Sequence, residues 1–62
     1  MRSRDVIAII EAAGWAENRQ TGSHKQFRHP TLPGTVTVPH PKADLATGTL
    51  KSIEKQSGVK LR

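Results

Sequence analysis

Gly22-Ser23-His24-Lys25-Gln26-Phe27-Arg28-His29-Pro30 decides how the rest of the chain must be arranged. Thr21-Gly22 is a turn signal and Pro30, with Pro33-Gly34 beyond it, punctuates the far side, so residues 23–29 read as a strand between two reversals. Successive strand side chains point to opposite faces, which groups Ser23, Lys25, Phe27 and His29 on one side and His24, Gln26 and Arg28 on the other. Phe27 belongs in a core and marks the covered face. His24 is therefore predicted on the open face, with Gln26 and Arg28 beside it. This register turns Lys25 and His29 nominally inward, a strain that a bulge near Gly22 or at Lys25 would relieve.

Working outward, Trp15 to about Gln20 reads as an extended segment leading into the Thr21-Gly22 turn. Before it, Ser3 is a candidate N-cap, Asp5 lies where the helix dipole favours an acid, and Val6, Ile9, Ile10 and Ala13 recur at helical spacing, predicting a helix over 3–13 closed by Gly14 at C′. After the strand, Thr35-Val36-Thr37-Val38 alternates like a half-buried third strand, which Pro39-His40-Pro41 ends. Thr47-Gly48-Thr49 then opens a second helix with Leu50, Ile53 and Ser57 on one face and Gly58 as its stop. The predicted fold is α+β in the order α-β-β-β-α, a three-stranded antiparallel sheet with both helices on one face, and residues 1–62 form a single domain.

A chain of 62 residues has a thin core, burying roughly 60% of the surface its unfolded form exposes. With no cysteine, neither disulfides nor thiolate metal sites reinforce it, and a cytoplasmic site is the default. The longest uninterrupted apolar run, Val6 to Ile10, is too short to span a membrane, and no signal-peptide pattern opens the chain. The net charge is +5, unevenly placed. Residues 1–24 balance Arg2, Arg4 and Arg19 against Asp5, Glu11 and Glu17, while residues 25–62 set seven cations against Asp44 and Glu54. A basic domain of this kind favours polyanions, nucleic acid foremost.

Ser3-Arg4-Asp5-Val6-Ile7, Gly14-Trp15, Gly22-Ser23-His24 with Phe27 and His29-Pro30, Val36-Thr37-Val38-Pro39, Gly48-Thr49-Leu50-Lys51-Ser52-Ile53 and Lys55-Gln56-Ser57-Gly58 follow one another over nearly the whole length. In this order and spacing they resemble the HicA family, the small ribonuclease toxins of bacterial toxin–antitoxin pairs. The resemblance implies a fold related to double-stranded-RNA-binding domains, metal-independent and cofactor-free cleavage of mRNA, and inhibition by a HicB-type antitoxin. The family's catalytic histidine falls on His24. Three positions depart from the pattern: Lys25 stands where many relatives carry a second histidine, the loop at Pro41 replaces a more polar stretch, and Glu54 replaces a usual apolar residue. The last two bear on antitoxin contacts or helix packing rather than on chemistry.

Histidine suits such chemistry because its ordinary pKa, about 6.5, lets it accept and return protons near neutrality. Without metal, RNA is cut by its own 2′-hydroxyl once a base removes the proton and cations stabilise the charge growing on phosphate. His24 is the candidate base. Gly22 and Ser23, in the same motif, are candidate RNA-binding residues, and Lys25 and Arg28 are candidate phosphate contacts, with Arg28 on the His24 face. Gly48 and Thr49, with Lys51 and Lys55, form a second candidate RNA-binding group, where free amides and the helix dipole favour phosphate. Thr37 shares the His24 face. Trp15, the single tryptophan, reads as core. His24, His29 and His40 make a poor metal constellation and are read separately. The proton for the leaving oxygen has three candidate sources: water, His40 or a lysine. Two other readings of the same surface are a non-catalytic RNA-binding module, which would not need His24, and a subunit that only holds an acidic partner.

Overall fold

Ser3–Ala12 forms helix α1 in the computed structural model, which describes residues 1–62. Val6 and Ile10, one turn apart, are its buried apolar positions, and Ile9 lies at the exposed margin. The expected cap is corrected. Arg2, in an extended conformation, is the N-cap without any side-chain bond, and Ser3 is the first helical residue. Its hydroxyl is engaged elsewhere, accepting the Lys42 N–H at 2.9 Å and bonding His40 Nδ1 at 2.7 Å. The helix ends one residue early, at a C-cap on Ala13. Gly14 then takes φ +102°, and a Cβ there would lie 2.6 Å from His29 Nε2, so backbone conformation and close approach both require glycine.

Three strands follow, β1 (Ala16–Thr21), β2 (His24–Arg28) and β3 (Val36–Pro39), antiparallel in the order β1-β2-β3. Gly22-Ser23 makes a two-residue hairpin turn. Gly22 has φ +58° and no non-glycine residue has positive φ, the pattern of a type II′ turn, whose twist matches that of the flanking strands. The bulge sits on the neighbouring strand rather than near Gly22 or Lys25: the β1–β2 register shifts between Glu17 and Arg19, leaving Asn18 as the extra residue. Glu17 thereby faces Phe27 across the ladder, while Arg19, in the register set by the turn, faces Gln26. The two awkward inward residues are also resolved. Lys25 donates to Glu17 at 2.8 Å, and β2 stops at Arg28, which frees His29 from the strand's alternation.

Helix α2 (Thr47–Ser57) buries Leu50, Ile53 and Ser57, and Gly58 ends it at φ +73° with its N–H donating to the Glu54 carbonyl at 2.8 Å. Ten buried residues form the core: Val6 and Ile10 of α1, Trp15, Phe27 of β2, Val36 and Val38 of β3, Leu45, Leu50 and Ile53 of α2, and Leu61. Both helices thus lie on the Phe27 face. β1 is exposed along its whole length, and α2 guards the outer edge of β3, where the Thr37 N–H donates to Gln56 Oε1 at 3.1 Å. The unusual Glu54 clamps the C-terminal tail, accepting the Leu61 N–H at 2.8 Å and the Arg62 guanidinium at 3.0 Å. The Leu61 amide first, then Arg62, hold its carboxyl below the ordinary glutamate range. No helix is long and apolar enough to cross a membrane.

Candidate functional site

His24 is the first residue of β2 and stands exposed between Thr21 of β1 and Pro39 of β3. Backbone pairing fixes it on both sides. The Gly22-Ser23 turn delivers it from β1, and the His40 N–H donates to the Ser23 carbonyl at 2.6 Å just beyond β3. Phe27 is fully buried and His24 exposed, as strand alternation predicts. Nothing in the protein occupies either ring nitrogen, so both are free to bond a ligand.

Residues directly opposite one another on antiparallel strands share a face. The open face therefore carries Arg19 and Thr21 from β1, His24, Gln26 and Arg28 from β2, and Thr37 and Pro39 from β3. It holds no carboxylate, because the bulge puts Glu17 opposite Phe27 on the helix side. Arg19 and Arg28 are unpaired cations; the three ion pairs of the molecule are the terminal amine with Asp44, Lys25 with Glu17, and Arg62 with Glu54. At roughly 3.3 Å of rise per residue, Arg28 starts about 13 Å along the strand from His24, whereas Arg19, level with Gln26, starts about 7 Å along. Arg19 is the nearer cation to any phosphate placed at His24. The two-residue turn that pairs Thr21 with His24 puts Arg19, two residues before Thr21, on the same face; sequence reading assigned the first strand no register and missed it.

The other candidate residues are placed differently. Lys25 is on the helix-covered side, half-buried and paired with Glu17. Gly22 and Ser23 form the turn that presents His24. Gly48, Thr49, Lys51 and Lys55 lie at the start and outer surface of α2, a helix on the opposite side of the sheet from His24. Lys51 and Lys55 are exposed and unpaired, and α2 has no side-chain cap, which leaves its first amides open. No three of the histidine, aspartate and glutamate side chains come together in a metal-holding group.

The remaining histidines are both committed. His29 Nδ1 accepts the N–H groups of Thr31 and Leu32, each at 3.1 Å, so its proton sits on Nε2 and is donated to the Ala13 carbonyl at 3.0 Å. Its ring meets Trp15 edge-on at 5.1 Å between centroids. Trp15 is buried at 2% exposure with Nε1 unpartnered, a packing residue rather than a platform for bases. His40 is tied through Nδ1 to Ser3.

The HicA toxin model of bacterial toxin–antitoxin systems matches residues 3–59. The structure is similar to a chain in the solved HicA3 and HicB3 toxin–antitoxin complex, with 33% sequence identity, 100% of each chain covered and a TM-score of 0.86. No curated protein sequence matches.

Proposed function

The chain belongs to the HicA toxin family of bacterial toxin–antitoxin systems, and from that membership we propose that it is a metal-independent endoribonuclease acting on mRNA, with His24 as the catalytic base. One observation carries the reading: of three histidines, His24 alone keeps both ring nitrogens unbonded, on an open, carboxylate-free face that also carries the unpaired Arg19 and Arg28.

Neutral His24 accepts the 2′-hydroxyl proton as the 2′-oxygen attacks the adjacent phosphorus. The bond from phosphorus to the 5′-oxygen breaks, and that oxygen takes a proton from solvent, which the open face admits. The products are a 2′,3′-cyclic phosphate and a 5′-hydroxyl. Arg19 offsets the charge growing on phosphate, and Arg28 holds the strand farther along. Gly22 and Ser23 set the position of His24 and border the RNA. Lys25 contributes only where its bond to Glu17 opens. Gly48, Thr49, Lys51 and Lys55 form a second contact region for backbone phosphates on the α2 side.

A HicB-type antitoxin is the proposed partner, blocking His24 and neutralising Arg19 and Arg28 together. The cytoplasm, where mRNA is found, is the proposed compartment. Mass spectrometry of cut RNA should show 2′,3′-cyclic phosphate and 5′-hydroxyl ends; 5′-phosphate ends would sink the mechanism. Co-expressed antitoxin should co-purify and relieve growth arrest, and its failure to do either would remove the pairing.

A further inference from the structure

Where β3 leaves the sheet, His40 and Lys42 come against Arg2, Ser3 and Arg4 at the start of α1 and line an open cavity of about 340 Å³. Ser3 builds its walls. The Ser3 N–H donates to the Lys42 carbonyl at 2.9 Å, while its hydroxyl accepts the Lys42 N–H at 2.9 Å and bonds His40 Nδ1 at 2.7 Å. A further tie, from the Leu45 N–H to the Met1 carbonyl at 2.9 Å, anchors the loop beyond. These bonds hold the backbone from which Arg2, Arg4 and Lys42 project.

None of those three cations has an anionic partner. Asp44, the acid of this loop, is taken by the terminal amine at 3.2 Å. With Nδ1 committed, His40 has Nε2 left to bond a ligand. Like charges gathered round one polar cavity repel one another, and a bound anion relieves that repulsion. Two arginines supply planar forks that match phosphate oxygens, and the lysine adds a point charge.

The cavity begins at the His24 end of the sheet: His24 pairs with Pro39, and the next residue, His40, donates to the Ser23 carbonyl. A nucleic-acid strand passing over His24 would have Arg19 and Arg28 on one side and this cavity on the other. We infer that the cavity is a phosphodiester-binding subsite for the RNA that His24 cleaves, taking a backbone phosphate beyond the scissile one. This inference rests on the ribonuclease reading and adds a binding site outside the sheet face.

The test uses a His24→Ala background, so that RNA is bound without being cut. Binding of a fluorescent mixed-sequence RNA oligonucleotide is measured across salt concentrations, with Arg2, Arg4 and Lys42 changed together to Gln. Affinity is expected to fall 10- to 100-fold, and the slope of log affinity against log salt to shrink by about 0.7 for each phosphate the variant no longer neutralises. Lys42→Gln alone should shrink the slope by about 0.7, and supplies the answer if the triple variant melts early. Lys60→Gln, outside the cavity, should leave affinity and slope unchanged. Unchanged RNA affinity and slope in the cavity variants would overturn the subsite and leave the ribonuclease reading standing. Loss of antitoxin affinity with RNA binding intact would overturn it in favour of a protein interface. RNA binding absent even at low salt in the His24→Ala parent would overturn both readings.

Discussion

One histidine opens β2 and another stands just past its end, and the protein treats them in opposite ways. Just past the strand, His29 is bound on both ring nitrogens by the backbone, closing the C-terminus of α1 against the Thr31-Leu32 loop. At the start, His24 stands exposed with neither nitrogen bonded inside the protein. A histidine that must keep Nδ1 bare and Nε2 protonated to satisfy three backbone groups cannot also exchange protons with a substrate, whereas a free imidazole can. Hydrogen-bond occupancy, rather than residue type, separates the structural histidine from the candidate catalytic one.

The strongest way to break this comparison is to exchange the losses. His29→Ala strips partners from the Ala13 carbonyl and two amides, and should cost about 2–3 kcal/mol. In a domain this small that lowers the melting midpoint by roughly 8–24 °C, while cleavage per folded molecule persists. Thermal melts together with activity corrected for folded fraction would show it; a His29→Ala protein of full stability would mean that the clip holds nothing.

Gly14→Ala attacks the same clip from the other side. The added methyl meets His29 Nε2 and the backbone is at φ +102°, so a loss of about 1–2 kcal/mol in urea unfolding is expected. A smaller effect, about 0.5 kcal/mol, is expected for Glu17→Gln, which leaves Lys25 without its partner on the partly exposed sheet margin. RNA cleavage should be retained, because that pair lies on the side away from His24.

The smallest effect concerns the tail. Glu54 has a folded-state pKa below its ordinary value of 4.5, so its stabilising contribution is complete above that value and is lost as pH falls through the lowered one. Protection of the Leu61 amide, its exchange relative to the unstructured rate at the same pH, should therefore fall in acid below about pH 4.5 and stay level between pH values of about 6 and 8. Glu54→Gln should show low protection throughout. Unchanged exchange in that variant would mean that Leu61 packing alone holds the tail.

Much of this arrangement was legible because it rests on local rules. The parity of Phe27 put His24 on the open face, Gly14 and Gly58 marked both helix ends, and the spacing of Leu50, Ile53 and Ser57 matched the buried face of α2. What escaped depends on partners distant in sequence. Ser3 resembles an N-cap to any local reading, but its hydroxyl is claimed by His40 and Lys42, 37 and 39 residues away. Asn18 gives no local sign of a bulge, yet the bulge turns Glu17 off the open face and toward Lys25. Glu54 reads as a misfit in a helix until Leu61 folds back to it.

The decisive experiment for His24 incubates RNA with purified wild type and His24→Ala in excess chelator, with RNA binding recorded for both. Cleavage is expected from wild type alone, at least roughly 100-fold above the variant, with binding and melting midpoint retained in His24→Ala. Equal cleavage by both proteins, or binding without cleavage by either, would contradict that expectation.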